Sequence, residues 1–330
     1  MLTLLGWVIS VICGFLPMLL LAGIIYWLDR YEKEPIRLLV GVFGWGALVA
    51  VMGAILLQSW LDQSVLLLTG SKAIEEIASG SLFAPLTEEL FKGGAVLLVF
   101  LFFPAEFDSI LDGIVYAAIA GLGFAATEDT LYYFSAFQQA GLGALASLVF
   151  VRLVLFGWQH AFFTAFTGIG LAMARMNLKP RLQLAAPLLG LGTAMLLHAL
   201  HNTLLTLISG ASGIVTTALV AWTGWLAMLG FMLYLISRER AWVAQYLRDE
   251  VALRTITEAQ YRVACSLFGQ SGARLRALPR GCFRQTARFY QLCGELSHKK
   301  RQLATLGDET GNQRSVETLR AELARISPSI

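Results

Sequence analysis

Runs of about twenty apolar residues recur along this chain of 330 residues and constrain its fold more than any other feature. A helix of that length crosses the hydrocarbon core of a bilayer, and only 14% of the residues are charged, against about 25% in soluble domains. The runs predict an all-α, polytopic membrane helix bundle of about seven spans. We place the spans near residues 4–28, 36–58, 83–103, 109–134, 153–175, 183–208 and 214–236. An eighth span results if the short apolar run 141–152 also crosses the membrane.

The charge distribution divides the chain into two parts. Residues 1–237 carry 9 Lys and Arg against 13 Asp and Glu, whereas residues 238–330 carry 16 against 9. This shift predicts a transmembrane domain over 1–237 and a basic, helical, cytosolic tail over 238–330. Within the tail we expect amphipathic helices at 238–268 and 283–305, with a short third helix at 314–326. The basic face suits solvent, anionic lipid or a partner, and no finger or phosphate-binding loop indicates a nucleic-acid partner.

Basic residues beside the spans set the expected orientation, because Lys and Arg accumulate in cytoplasmic loops. With seven spans, the clusters that follow spans one, five and seven all fall on the same side of the membrane. We therefore expect a multi-pass protein of the cell membrane, with its N-terminus outside and its tail in the cytoplasm. The clusters are Arg30, Lys33 and Arg37, then Arg175, Lys179 and Arg181, then Arg238 and Arg240.

The third apolar run contains the motif Pro85-Leu86-Thr87-Glu88-Glu89-Leu90-Phe91-Lys92. A charge at mid-membrane costs several kcal/mol, so residues of this kind usually have partners and a purpose. On a helix, Lys92 reaches Glu89 three residues away or Glu88 four residues away. One lysine does not neutralise two glutamates, so a surplus negative charge or a shared proton is left in a poorly solvated place. A general base can arise in this way. A structural salt bridge between helices is the alternative.

Three other spans carry polar side chains at a matching depth. Span four has Glu128, span five has His160, and span six has His198 and Asn202, all within about ten residues of the outer ends. We expect these side chains to meet the glutamates of span three in the outer leaflet, because small residues let helix backbones approach closely. Small residues recur at every fourth position on spans four and five, as Gly113, Ala117, Gly121 and Ala125, then Gly157, Ala161 and Ala165.

Two chemistries fit this set of side chains. In the first, a glutamate deprotonates water, a histidine positions the water, and an imidazole and an amide N–H stabilise the oxyanion. In the second, one glutamate and two histidines bind Zn²⁺, whose bound water has a pKa of about 7, although no HExxH motif is present. A non-catalytic alternative is a transporter or receptor that binds a proton, an ion or a small ligand at the intramembrane charges.

An ordered series of motifs resembles the PrsW family of intramembrane proteases, within the wider group of CAAX-type prenyl proteases and bacteriocin-processing enzymes. The resemblance covers about residues 20–208 and departs from the family at Asp129, where Asn is more usual, and at His201, which is an additional imidazole. The motifs are Asp29-Arg30-Tyr31-Glu32-Lys33-Glu34-Pro35, the EExxK box at Glu88, Glu89 and Lys92, Phe107-Asp108 with Asp112-Gly113-Ile114-Val115-Tyr116, Gly121-Leu122-Gly123-Phe124-Ala125-Ala126-Thr127-Glu128, the FxxxH box of Phe156 and His160, and HxxxN at His198 and Asn202.

The resemblance implies cleavage of membrane-anchored protein substrates, with anti-sigma factors as the known type. It implies that Glu88, Glu89 and His160 are catalytic. The CAAX relatives imply glutamate-activated water, with His198 and Asn202 forming the oxyanion site. On this basis we predict that Glu88 is the base, that Glu89 is its partner, and that His160 orients the water.

We also assign supporting roles. Lys92 is predicted to hold Glu89, and Glu128 is predicted to support the site or contact the substrate. Asp112 is expected to cap or brace span four at its cytoplasmic end. The family is also labelled metalloprotease, and if a metal such as zinc is present, its predicted ligands are Glu89, His160 and His198. A site in the outer leaflet predicts cuts near the extracytoplasmic end of a substrate's span.

Overall fold

The structure, a computed structural model, describes residues 2–208, 210–308 and 311–330. No strand occurs among these residues, and the all-α membrane fold is confirmed. The α-helices in chain order are α1 (Leu2–Leu28), α2 (Ile36–Gly44), α3 (Val51–Thr69), α4 (Lys72–Ala78), α5 (Ala84–Phe102), α6 (Ile110–Val149), α7 (Gln159–Arg175), α8 (Pro180–Leu207), α9 (Gly210–Ala252), α10 (Glu258–Ala264), α11 (Gly269–Ala277), α12 (Phe283–Leu306) and α13 (Asn312–Ile326).

Five helical stretches in the described part of the chain are long and apolar enough to cross a membrane. The longest has 66 residues, more than twice the roughly 20 that one crossing requires. Helix α5 has 19 residues but carries three ionisable side chains, so it is not among the five. The count of seven spans therefore stays a prediction. The five stretches are Leu2–Leu28, Ile36–Thr69, Ile110–Arg175, Pro180–Leu207 and Gly210–Ala252.

The chain divides into two compact units. One takes in the chain up to Trp27 together with Glu34–Gly230, and the other takes in Leu28–Lys33 with Phe231–Ile330. The charge distribution predicts a domain boundary between residues 237 and 238. Charge and compactness are different criteria, so this boundary stays a prediction.

Helix α6 forms the centre of the first unit, because every residue from Leu111 to Ala126 is buried. It begins with a capping box, in which Ser109 and Asp112 satisfy each other's backbone N–H groups. Helix α7 lies against both α6 and α8, and α5 contacts all three. The buried part of α6 therefore supports the helices that carry the polar motifs.

Two glycines allow α6 and α7 to approach closely. A Cβ atom on Gly121 would lie 2.5 Å from the carbonyl oxygen of His160, and one on Gly113 would lie 2.3 Å from that of Gly168. No side chain fits at these distances, so backbone meets backbone. The contact at Gly121 brings the first turn of α7, with its imidazole, against α6.

The helical stretch from α6 to α7 is interrupted at two places. Ala140 and Gly141 leave the helical conformation, and Gly141 has a φ of 75°, which glycine adopts without steric cost. A π-helical turn follows at Phe150–Leu155, and α7 begins only at Gln159. The residues between these breaks therefore form a separate helical segment rather than part of one straight helix.

The tail is helical, but its first helix is shorter than predicted. Helix α9 ends at Ala252, Arg254 has a φ of 59°, and α10 starts after a second capping box, formed by Thr257 and Gln260. The single helix predicted over 238–268 is therefore interrupted at this turn. Helices α12 and α13 lie where the two later tail helices were expected.

Candidate active site

The two glutamates of the EExxK motif have different surroundings. Helix α5 has Pro85 in its first turn, where the missing N–H costs nothing. The Nζ atom of the fully buried Lys92 lies 2.6 Å from Oε1 of Glu89 but 3.5 Å from Oε2 of Glu88. Thr164 of α7 also donates a hydrogen bond to Oε2 of Glu89 at 2.9 Å. Glu89 is thus held by close donors, whereas the contacts of Glu88 are long.

His160 links this motif to Glu128 on α6. Nζ of Lys92 lies 2.9 Å from Nδ1 of His160, and Nε2 of His160 lies 3.0 Å from Oε2 of Glu128. Because an ammonium donates and a carboxylate accepts, the network assigns Nδ1 as the acceptor and Nε2–H as the donor. Glu128 and Lys92 together therefore fix the orientation of this ring.

In His198 the two ring nitrogens have the opposite roles, with Nδ1 as the donor. Its Nδ1–H donates to Oε1 of Glu89 at 3.0 Å, and its Nε2 faces Oε2 of Glu88 at 3.8 Å. The ring of Phe163 stacks on the imidazole with the ring centroids 4.7 Å apart. Nδ1 of His160 also lies 3.8 Å from the same oxygen of Glu88. The Glu88 carboxylate therefore faces one ring nitrogen of each histidine across a gap wider than a hydrogen bond.

A cavity of about 590 Å³ opens onto this cluster. Glu88, Glu128, His160 and His198 line it, whereas Glu89 and Lys92 are not among its lining residues. Of the two motif glutamates, only Glu88 is therefore placed to meet a molecule that enters the cavity.

Of two other predicted site residues, Asn202 lies at the cavity and Asp112 lies far from it. Asn202 lines the cavity, and its Nδ2 donates to the carbonyl oxygen of Gly80 at 2.9 Å. Asp112 lies in the first turn of α6, where its carboxylate accepts from the backbone N–H groups of Asp108 and Ser109. At 1.5 Å per residue, Asp112 is about 24 Å along α6 from Glu128, so it does not join the cluster.

Arg152 is a site residue that the sequence analysis did not identify. Its guanidinium donates to the carboxylates of both Glu128 and Asp129 and lies over the ring of Tyr132, 4.3 Å from the centroid. A signal for it was present. Arg152 is the sole Lys or Arg between Lys92 and Arg175, and an intramembrane charge normally has a partner of opposite sign.

The additional imidazole, His201, is held by a second chain of hydrogen bonds. Trp225 of α9 donates from Nε1 to Oε1 of Gln159 at 2.5 Å, and Nε2 of Gln159 donates to Nδ1 of His201 at 2.9 Å. Phe156 contacts the same ring edge to face, with the centroids 4.9 Å apart. Because His201 lines the cavity, this chain orients a third imidazole towards it.

The donor chemistry of the cluster suits a divalent metal. Glu88, His160 and His198 each offer a ligand atom, and these atoms lie within 4.8 Å of one another. Two imidazoles and one carboxylate are a common ligand set for catalytic zinc. Nδ1 of His160 accepts from Lys92, so ligation through Nδ1 requires that this hydrogen bond be released. The predicted set contains Glu89 instead of Glu88 and stays a prediction.

The fold and the site together define a class, that of helical membrane proteins with a buried cluster of carboxylates and imidazoles inside the bundle. The chain matches the family described as PrsW family intramembrane metalloprotease over residues 34–236. It therefore belongs to the PrsW family and is a membrane peptidase. No solved structure matches it significantly.

Three curated relatives, each named Protease PrsW, show the extent of this similarity. The protein of Bacillus subtilis (strain 168) is 28% identical over 201 residues, which is 59% of this chain and 82% of the relative. That of Geobacillus kaustophilus is 30% identical over 168 residues, or 51% and 68% of the two chains. That of Oceanobacillus iheyensis is 31% identical over 214 residues, or 63% and 87%.

Proposed function

We propose that this protein is an endopeptidase that cuts membrane-anchored substrates, of the anti-sigma-factor type, near the extracytoplasmic end of their span. Water activated by Glu88 is the proposed nucleophile. The observation that carries the proposal is the contrast within the EExxK motif, where Glu88 lines the cavity and Glu89 is held by Lys92, Thr164 and His198. A base has to reach its water, and of these two glutamates Glu88 is the one that lines the cavity.

In the proposed reaction, Glu88 removes a proton from a water bound between its carboxylate and the two imidazoles. The hydroxide oxygen attacks the scissile carbonyl carbon, and the negative charge moves to the carbonyl oxygen. Collapse of this intermediate breaks the C–N bond, and the proton held by Glu88 passes to the leaving nitrogen. His160, oriented by Lys92 and Glu128, is proposed to position the water by accepting from it at Nδ1, which requires that the hydrogen bond from Lys92 be released.

His198 and Asn202 are the proposed oxyanion donors. Since Nδ1–H of His198 donates to Glu89, a bond from Nε2 to the oxyanion requires the doubly protonated imidazolium, which the Glu89 carboxylate stabilises. Asn202 donates its amide to Gly80 and turns towards the oxyanion as charge develops. Both donors thus strengthen their contacts in the transition state rather than in the ground state.

A metal is the alternative source of activated water in the same place. Glu88, His160 and His198 would hold it, and the metal would act as a Lewis acid that lowers the pKa of its bound water. We propose the metal-independent reaction, because Lys92 already supplies a positive charge at Nδ1 of His160. Metal analysis and chelation of the purified protein test this choice. Stoichiometric zinc, with activity that chelation abolishes and zinc restores, would contradict metal independence.

The proposed topology has seven spans and a transmembrane domain over 1–237. The break at Ala140 and Gly141 and the turn before Gln159 support a division of Ile110–Arg175 into two crossings. Helix α5 supplies the remaining crossing, with its charges compensated inside the bundle. The tail over 238–330 is then cytoplasmic.

Cleavage of a single-span membrane protein by the reconstituted enzyme tests the residue roles. We expect Glu88→Gln and His160→Ala each to lower the rate by about 10²- to 10⁴-fold, the usual contribution of a positioned acid–base group. Glu317→Gln, an exposed glutamate of α13, is the matched control and should cleave at the wild-type rate. Retained cleavage in both site variants would refute the assigned roles without affecting family membership.

A further inference from the structure

An exposed apolar surface lies on the tail, outside the segment that matches the protease family. We call residues 268–284 the α11–α12 patch. Six large apolar side chains of the described tail residues are exposed, and four of them lie in this patch. Their exposed fractions range from 39% to 71%. The four are Phe268, Leu275, Leu278 and Phe283.

The same patch is strongly basic. The chain has six arginines and no Asp or Glu between Glu258 and Glu295. Arg276, Arg280 and Arg284 are exposed, and within the described part of the chain none of them forms an ion pair. By contrast Arg288, one turn further along α12, is paired with Glu295 and Glu322. The positive charge of these three arginines is therefore not neutralised by an ion pair.

The start of the patch is held by two arginines, one just after α1 and one inside α9. Arg30, two residues beyond the end of α1, donates to the carbonyl oxygen of Leu267 and to Oγ of Ser271. Arg240, four residues beyond the predicted end of span seven, donates to the carbonyl oxygen of Cys265 at 2.9 Å. In the predicted topology spans one and seven end at residues 28 and 236, so residues 265–271, held by Arg30 and Arg240, would lie near a membrane surface.

The three exposed arginines without an ion pair, Arg276, Arg280 and Arg284, give the patch a positive potential. A positive potential at a membrane surface attracts anionic headgroups and not zwitterionic ones. Exposed leucine and phenylalanine beside arginine are typical of surfaces that enter the headgroup and acyl-chain boundary.

We propose that the α11–α12 patch binds the anionic phospholipids of the protein's own bilayer, with arginines on the phosphates and apolar side chains among the upper acyl chains. Arg276, Arg280 and Arg284 would supply the charge, while Leu278 at the turn between the helices would enter deepest. This docking does not depend on the peptidase chemistry. It fixes the tail on the membrane surface when anionic lipid is present and releases it when such lipid is absent.

Hydrogen exchange of the full-length protein in lipid nanodiscs tests the proposal. The amides of residues 268–284 are compared in phosphatidylcholine alone and in a mixture with phosphatidylglycerol. We expect exchange in the mixture to be slower by at least about tenfold, since each arginine near an anionic surface adds to the binding. High salt should reduce the difference, because exposed charges are screened.

Two triple variants with the same loss of charge provide the control. Arg276→Gln with Arg280→Gln and Arg284→Gln should abolish the lipid dependence. Arg254→Gln with Arg314→Gln and Arg325→Gln, all exposed outside the patch, should retain it. Exchange of the buried amides around Leu292 of α12 reports whether each variant keeps its fold.

Three outcomes would overturn the proposal. The first is equal exchange of the patch in both lipid mixtures. The second is equal protection in phosphatidylcholine when inorganic phosphate is added, which would indicate an anion site rather than a lipid surface. The third is full lipid-dependent protection in the folded patch variant. If the patch instead binds an acidic protein partner, we expect the first outcome, because the nanodisc samples contain no such partner.

Discussion

Single side chains show how the cluster distributes its charge. Four carboxylates surround two fixed cations, and each cation bridges two of the acids: Lys92 contacts Glu88 and Glu89, and Arg152 contacts Glu128 and Asp129. Nζ of Lys92 lies closer to Glu89 than to Glu88, so Glu88 has the weaker ion pair. The bridge of Arg152 uses two nitrogens of one planar guanidinium, a geometry that lysine does not reproduce.

Arg152→Lys tests whether this bridge positions the site. Lysine keeps the charge but not the two-nitrogen fork, so Glu128 should lose its fixed orientation and His160 its alignment. We expect cleavage to slow by about 10- to 100-fold, as a small misplacement of a catalytic group does. Arg248→Lys, which changes an exposed arginine paired with Glu258, should leave the rate unchanged. Wild-type cleavage by Arg152→Lys would rule out the positioning role.

Helix packing determines where the imidazoles lie. His160 is the second residue of α7. Its carbonyl group occupies the space that a side chain at position 121 would fill. Glycine at this point costs helix propensity, about 1 kcal/mol relative to alanine, and the close approach compensates for it. The small-residue pattern that was predicted to pack helices is therefore also what sets the distance from His160 to Glu128.

Gly121→Ala tests this dependence. The new Cβ would meet the His160 carbonyl oxygen at 2.5 Å, so α7 must move away. We expect a loss of about 1–3 kcal/mol in the free energy of unfolding, as overpacking causes, together with slower cleavage. Thermal unfolding and the cleavage assay measure the two effects.

Gly143→Ala is the matched control for that substitution. It lies in the helical segment that follows the break at Gly141, and nothing is within 4 Å of the added Cβ. It should be neutral or slightly stabilising, because alanine favours the helix. If Gly121→Ala behaves in the same way, the close contact does not position the site.

The chain as a whole combines a membrane protein with a basic tail. The family match covers residues 34–236 and ends before the tail. The tail forms its own compact unit with Leu28–Lys33, the residues that directly follow α1. Gln291 of α12 fixes that short segment by accepting from the backbone N–H of Lys33 at 3.1 Å and donating to its carbonyl oxygen at 3.0 Å.

The position of the cut tests the proposed topology. If the tail is cytoplasmic and the chain has seven spans, the site lies in the outer leaflet. The new termini of a cleaved single-span substrate should then map near the extracytoplasmic end of its span. Sequencing of both products by mass spectrometry measures this. Termini near the cytoplasmic end would require the opposite orientation or a different number of spans.

The membrane class, the helices and the candidate polar residues were all predictable, because they depend on local composition. A run of apolar residues is helical in a bilayer whatever its neighbours are, since every backbone group must be satisfied within the segment. The EExxK, FxxxH and HxxxN motifs were visible for the same reason, as was the charge shift at the tail. The interruption at Arg254 was missed, because a left-handed arginine gives no clear signal in the sequence.

Only the tertiary structure decided which side chains form ion pairs and hydrogen bonds with one another. The order of residues indicates that Arg152 needs an acidic partner, but not that its partners are Glu128 and Asp129. Nor does it indicate that Thr164 and His198 satisfy Glu89 and leave Glu88 at the cavity. Hydrogen bonds and ion pairs depend on distances of a few ångströms between helices that are far apart in the chain. The sequence by itself determined which side chains were available for chemistry, and the packing of α5, α6, α7 and α8 decided which carboxylate faces the cavity.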